Sequence, residues 1–506
     1  MKGTNKKRTI LIVLCVVLTA LALVLLIKNQ SKYQLFKNKI DGYSLLIEKG
    51  YENTTSIQDI VTVLEKDDTI IEIYKYKIAD AGDVYSNYCN RFLENTEDHY
   101  LDYRDTWNVN SREIYVAKWH RDALSKIPKD KNYYLSFDII GEGELCSIFI
   151  KSSAELGNVE DYRYMVESVK LYEATQPKNS WKSKSVNLEE RRWNQETKEF
   201  YQQYFSEDAN LRWGIFEPDT AGLNFETLDY YEKKLEYVFP VLLTYTDIDV
   251  TGKSLSMLEP RLQHNWKQGK VTELTLQTVS AANGNMMYDI LKGEYDEFLF
   301  SYATTIAEFQ HPVLFRPFNE MNGDWCPYSS YNTSKDTIIY REVYKYVYEI
   351  FENAGVNNAI WVWNPNESSF PKGDWNHMLM YYPGDEYVDV IGMTAYNTGT
   401  YYAEVGESWK DFSELYEEIY EQYCELFSQP FMITEFSCAV DGGDKVQWVK
   451  DMFNDINKYE RIKLAIWWDG TDFNPNTGEI SRDYRINEPE EVLDVFCENL
   501  HKNSMQ

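Results

Sequence analysis

Phe315-Arg316-Pro317-Phe318-Asn319-Glu320-Met321-Asn322-Gly323-Asp324-Trp325 begins as a short apolar strand and ends as a polar, aromatic loop, with a carboxylate at the change-over. The run Phe431-Met432-Ile433-Thr434-Glu435 makes the same transition 115 residues later. Working outward from these two, short apolar segments finish near Phe216, Tyr245, Thr278, Glu320, Asn364, Asn397, Glu435 and Asp469, spaced 29 to 44 residues apart. Amphipathic stretches such as Tyr340 to Asn353 and Ser413 to Leu426 fill the gaps. Eight strands alternating with helices over this length predict a closed (β/α)₈ barrel, with its working residues at the C-terminal strand ends. An open doubly wound sheet is the alternative, but no glycine-rich phosphate loop accompanies these strands. In a ring of eight, strands four and seven face each other across the mouth, which sets Glu320 and Glu435 on one rim.

The rest of the chain divides into a predicted cytoplasmic stub and membrane anchor (1–30), a small α+β domain (31–175), a linker (176–204) and the barrel (205–506). Ile10 to Ile27 is an 18-residue uncharged run behind Lys2, Lys6, Lys7 and Arg8. As a helix it reaches roughly 27 Å, enough for a thin hydrocarbon core. The basic flank predicts a cytoplasmic N-terminus and an extracellular remainder. Cleavage at Ala20-Leu21-Ala22 is the competing reading, and it yields a secreted protein. In the second part, Tyr133 to Ile140 and Leu145 to Lys151 read as a hairpin and Thr69 to Ile78 as a further strand, a pattern that suits an accessory module. Pro177 and the Lys, Ser and Asn around it mark the linker.

The formal net charge of −30 argues against nucleic-acid partners, since such a surface repels phosphates, while a neutral polysaccharide is not repelled. Seven cysteines without CxxC spacing and 6 histidines give no readable metal site or disulfide framework. Cys326 lies near the candidate site but has no histidine partner in sequence.

Two carboxylates on one aromatic rim match the needs of acetal hydrolysis. One protonated carboxyl gives its proton to the leaving oxygen, and the other, ionised, attacks the anomeric carbon or activates water. Strand alternation predicts Arg316, Phe318 and Glu320 on one face, so that Arg316 orients a catalytic carboxylate or simply pairs with Glu320. Asn319 is placed to bond a sugar hydroxyl. Trp325, Tyr328, Trp361, Trp363, Tyr396, Trp467 and Trp468 supply stacking faces at four strand ends, with Asn364, Asn397 and Asp469 as polar companions.

From about Arg212 to Asn499 the chain resembles glycoside hydrolase family 26, the family typified by β-mannanases. The resemblance is carried by Arg316-Pro317-Phe318-Asn319-Glu320-Met321-Asn322-Gly323-Asp324-Trp325, which is similar to an Arg-x-x-His-Glu-Met-Asn-Gly-x-Trp signature. Tyr382-Pro383-Gly384-Asp385, Asp389 to Gly392, Tyr396-Asn397, Ile433-Thr434-Glu435-Phe436, Trp213-Gly214-Ile215-Phe216 and Ile466-Trp467-Trp468 extend it. It implies a retaining barrel hydrolase with Glu320 as acid/base, Glu435 as nucleophile and Tyr396 as the nucleophile's partner. No metal or organic cofactor is implied. The expected substrate is a β-1,4-linked polysaccharide, β-mannan first. Asn319 stands where the family usually has histidine, which raises the case for cellulose or another exported β-1,4-glucan. A carbohydrate-binding barrel that no longer cuts is the third reading. Anchoring suggests association with a cell-surface polysaccharide machinery.

Overall fold

A computed structural model describes residues 32–503 apart from residues 58, 79–87, 142, 176–180, 250 and 280–283. The expected anchor lies outside the described residues. Among the described residues no helix is long and apolar enough to cross a membrane.

The strands Arg212–Phe216, Val241–Ile248, Val271–Thr278, Val313–Pro317, Ala359–Trp363, Val390–Thr394, Phe431–Phe436 and Ile462–Trp468 form a closed parallel barrel in chain order. The first strand pairs with the eighth through Trp213 and Ala465. Side chains alternate across each strand, as the pleat requires. Val241, Leu243, Leu314, Ile360, Val362, Val390, Met432, Leu464 and Ile466 fill one common core, and their neighbours Phe315, Trp361, Trp363 and Trp467 pack in another, with residues of the surrounding helices. The helix Gln195–Phe205, which falls inside the stretch expected to be a linker, buries Phe200, Tyr201 and Phe205 against the inner core and so plugs the barrel. Trp193, just before it, donates from Nε1 to the Ala359 carbonyl at 2.8 Å. Its Asn194 cap accepts from Thr197 N, and the aromatic spacing supplies the buried face.

Ahead of the barrel stands a seven-stranded antiparallel sheet, ordered Glu52–Asn53, Thr62–Lys66, Thr69–Lys77, Glu144–Ser152, Tyr133–Ile140, Arg112–His120 and Tyr100–Val109. A three-stranded sheet of Tyr33–Asn38, Tyr43–Glu48 and Lys170–Leu171 accompanies it. Leu135, Phe137, Ile148 and Ile150 on one face of the large sheet pack on Leu45, Ile47 and Met165. Tyr134, Trp119 and Phe149 on the other face share the core that surrounds the barrel.

That second face carries buried charges. Lys151, fully buried, pairs with Glu72 at 2.6 Å and with Asp336 of the barrel at 2.9 Å. The Tyr134 hydroxyl donates to the other oxygen of Asp336 at 3.1 Å. Asp336 in turn caps the helix Thr337–Asn353 by accepting from Ile338 N. His99 meets both the Tyr288 hydroxyl and Ser334 at 3.0 Å. The sheet therefore grips the segment that runs from Glu320 to this helix.

Candidate active site

The fourth barrel strand ends at Pro317, and the chain then turns sharply. Phe318 and Glu320 both take left-handed backbone, with φ of 53° and 55°. Such a conformation costs a non-glycine residue of order 1–3 kcal/mol and persists only where surrounding bonds fix it. Those bonds are present: Phe318 N donates to Leu276 O at 2.8 Å and Glu320 N to Asn364 O at 2.7 Å. The Tyr328 hydroxyl donates to Asn319 O at 2.7 Å, and the Tyr340 hydroxyl to Phe318 O at 3.1 Å. The expected alternation therefore stops at Arg316. Phe318 turns away from the barrel interior and packs on Tyr328 and Tyr340, and Glu320 reaches the mouth through the turn.

Glu435, on the seventh strand, is 4% exposed and receives four donors. Arg316 Nη1 reaches Oε1 at 3.0 Å and Asn319 Nδ2 reaches it at 3.3 Å. On Oε2 the donors are the hydroxyls of Tyr396, at 3.2 Å, and Tyr245. Burial and the Glu435 charge push both phenols up, so they stay protonated and donate. Of the two roles open to Arg316 in the sequence, the ion pair with Glu320 does not form; the guanidinium pairs with Glu435 and with the buried Glu273, each at 3.0 Å. Burial opposes its charge, and the two carboxyls outweigh that effect.

Glu320 meets different surroundings. Trp325 Nε1 donates to its Oε2 at 3.4 Å. Burial, the Glu435 charge and the Glu367 carboxyl push its proton affinity up to about 8. Glu367 is itself pushed up by burial to about 7. At neutral pH the site thus offers a carboxyl that holds its proton opposite a carboxylate wrapped in donors. This division is how two like groups acquire acid and nucleophile tasks.

A cleft of about 540 Å³ joins the two groups. Asn319, Glu320, Trp325, Tyr396, Glu435 and Trp468 line it, so six of the residues expected from sequence come together here. Five others do not line it. Arg316 lies beneath the cleft and acts through Glu435. Tyr328 stands behind Asn319, and Asn397 is buried, where its side-chain Oδ1 accepts from Gly399 N and Lys410 N and shapes the following loop. Trp363 packs on Tyr382 and Phe427, and Trp467 on Phe436 and Phe496. Both lie out of phase with inward neighbours (Val362 and Ile466) and so belong to the outer layer.

Several lining residues escaped the sequence reading. Tyr245 and Gln277 extend the inward pattern of strands two and three, and Gln277 fixes the Asn319 amide by donating to its Oδ1 at 2.9 Å. Glu367 and Phe370 come from the loop after strand five. Arg482 closes the far end, pairing with Asp472 at 2.7 Å and with Glu407. Cys326 is buried near Asn319, and burial pushes its thiol up, so it offers no thiolate. Among the described residues no group of His, Cys, Asp and Glu could hold a metal ion.

A parallel barrel whose mouth carries two facing carboxylates in an aromatic, amide-lined cleft has the layout of the barrel glycoside hydrolases. Residues 253–458, which lie within the barrel, match the model of glycosyl hydrolase family 26. Endoglucanase H of Acetivibrio thermocellus is 30% identical over 221 residues, 43% of this chain and 23% of that protein. A mannan endo-1,4-beta-mannosidase of Bacillus subtilis is 30% identical over 164 residues, 28% of this chain and 44% of that protein. The chain thus matches less than half the length of either relative. Among solved structures, a Bacillus subtilis mannanase aligns at 19% identity with a TM-score of 0.42, over 57% of this chain and 89% of its own. An endo-beta-1,4-mannanase from Cellulomonas fimi aligns at 16% identity with a TM-score of 0.47, over 62% and 76%.

Proposed function

We propose that the chain is an endo-β-1,4-glycanase that hydrolyses a polysaccharide by double displacement, with β-mannan as its first substrate. The observation that carries this reading is the opposite treatment of two carboxyls in one cleft: Glu320 is kept protonated and Glu435 is held by four donors. Glu435 attacks the anomeric carbon as the glycosidic C–O bond breaks, and the Glu320 proton passes to the leaving oxygen. Water then attacks the glycosyl-enzyme. Glu320, now ionised, takes the water's proton, and the bond to Glu435 breaks. Tyr245, Tyr396 and Arg316 hold the nucleophile in place throughout. Mannan is supported by the family and by the mannosidase relatives.

A β-1,4-glucan is the second reading, and Asn319 favours it. Its amide is fixed by Gln277 and Tyr328, with Nδ2 beside Glu435, where the 2-hydroxyl of the cleaved sugar belongs. That hydroxyl is axial in mannose and equatorial in glucose. The basic flank and apolar run ahead of residue 28 support an anchored, extracellular placement. The polymer is then one met at the cell surface.

Reducing-sugar release from β-mannan, glucomannan, carboxymethyl-cellulose and xylan tests the reading, beside Glu320→Gln and Glu435→Gln. Release that both substitutions abolish supports a glycanase, and the preferred polymer decides between mannan and glucan. Failure to release sugar from any of them refutes the reading and leaves a barrel that only binds.

A further inference from the structure

Trp325 is 52% exposed and has two sides. One side lines the cleft of Glu320 and Glu435. The other lines a second cavity of about 580 Å³, walled on one flank by residues 91, 92 and 94–97 of the seven-stranded-sheet domain and on the other by residues 279 and 284–286 after strand three and the loop after strand four. We propose that this second cavity is a distal glycan subsite, built jointly by the two domains, which receives the leaving-group end of the polysaccharide; it rests on the glycanase reading above.

Three observations support it. First, Trp325 forms the shared wall and is itself positioned: Phe370 packs against it at 5.5 Å, and its Nε1 bonds Glu320. A ring in contact with the acid, rather than with Glu435, stands on the side to which the cleaved oxygen departs. A chain leaving the cleft over that ring enters the second cavity directly. Second, the lining suits a sugar. Buried Phe92, Tyr331 and Met286 give apolar surface, while Asn95, Asn285 and Asn332 supply amides at the edge. Third, the charges select among polymers. Glu94, Glu97 and Asp324 outnumber Arg91 in the lining, so a neutral hydroxyl-bearing chain is accepted and a uronate-rich one is repelled. Junctions between domains are a common place for such sites.

The far wall is held in register with the barrel. The Tyr88 hydroxyl donates to Asp324, and its ring packs on Tyr331 at 5.0 Å. His99 bonds Tyr288 and Ser334 just beyond the 91–97 segment. The subsite therefore does not depend on a domain closing over it.

The test uses the full chain carrying Glu320→Gln, titrated calorimetrically with β-1,4-linked manno- and gluco-oligosaccharides of increasing length. It is then repeated with Arg91→Ala and Glu97→Ala added, both exposed positions outside the catalytic cleft. The expected result is that longer oligosaccharides bind more tightly than short ones, and that the two added substitutions remove at least fivefold of that gain while leaving the shortest binder unchanged. In the active chain the same pair shifts cleavage of a reducing-end-labelled hexasaccharide toward shorter labelled products. Binding whose length dependence is identical in the two proteins overturns the subsite but leaves the glycanase reading standing. Absence of binding by every oligosaccharide overturns both.

Discussion

The proton on Glu320 gives the sharpest prediction. Its carboxyl is pushed from the ordinary 4.5 to about 8 by burial, by Glu435 and by Glu367. At pH 7 about nine-tenths of the molecules then carry the acid, against about one in 300 for an unperturbed carboxyl, a gain of roughly 300-fold in the competent form. The sign follows directly. The group is protonated below about 8, so kcat/KM on polymer or oligosaccharide stays level through neutrality and falls tenfold per pH unit above that value. Glu320→Ala removes this limb and lowers the rate on natural linkages by about 10²–10⁴-fold. An aryl glycoside whose leaving group needs no proton is spared in its first step, so the glycosyl-enzyme accumulates as a burst. Two neighbours move the limb in opposite directions. Glu367→Gln removes a like charge that favours the protonated acid and shifts the limb down by about half a pH unit; Trp325→Phe removes a donor that favours the anion and shifts it up. Rates measured from pH 5 to 10 on both substrate types decide the matter. An alkaline limb below pH 6, or one that survives Glu320→Ala, refutes the assignment.

Other consequences concern stability as much as rate. Arg316→Leu strands Glu273 and Glu435 without their shared cation and is expected to cost about 3–5 kcal/mol in chemical denaturation, with near-complete loss of activity. Lys151→Met does the same to Glu72 and Asp336 at the domain junction, at about the same cost, and adding Glu72→Gln and Asp336→Asn recovers most of it. Glu217 and Glu367 are both pushed up to about 7 by burial and Asp374 to about 8. Folded carboxyls that hold protons more tightly than unfolded ones lend stability that is whole below about pH 4 and drains away up to pH 8; thermal unfolding scans should show Tm declining across that interval.

The barrel was legible because each strand is a short apolar run closed by a polar or aromatic residue, and Glu320 and Glu435 stand at two of those closures. The errors have physical causes. Trp467 and Trp468 are adjacent, so they must point to opposite faces; the inward phase of Leu464 and Ile466 sends Trp467 outward and Trp468 to the mouth. The same phase in strand five sends Trp361 and Trp363 outward, while in strand two it carries Tyr245 inward beside Glu435. Periodicity alone could have sorted these. It could not have announced the left-handed turn at Phe318 and Glu320, because neither residue is a glycine and the turn is imposed by bonds from other strands. Nor could it place Arg482 and Glu407 at one end of the cleft, since pairing over 75 residues leaves no local pattern.

The sequence reading of residues 31–175 as a separable accessory module invites a simple experiment, removal of that domain, and the structure predicts how it goes wrong. The loop that carries Glu320 and Trp325 continues through Ser334 and Asp336, and both residues find their partners in the sheet domain. The contacts continue away from the loop, with Lys126 N bonding Leu291 O at 3.1 Å and Lys126 Nζ pairing with Asp296 at 2.9 Å. Trp119, Tyr134 and Phe149 bury their rings in the core shared with the barrel, and uncovering that face returns about 1.5–3 kcal/mol of apolar burial per large side chain to solvent. Residues 181–506 alone should therefore unfold at a Tm at least 10 °C below that of the full chain. The loss of kcat/KM should exceed what a missing distal subsite explains, because the acid's own loop is loosened. A barrel fragment that keeps both the Tm and the rate on short oligosaccharides would show that the turn at Glu320 is fixed by the barrel strands alone, and that the buried Lys151 network serves only to dock one domain on the other.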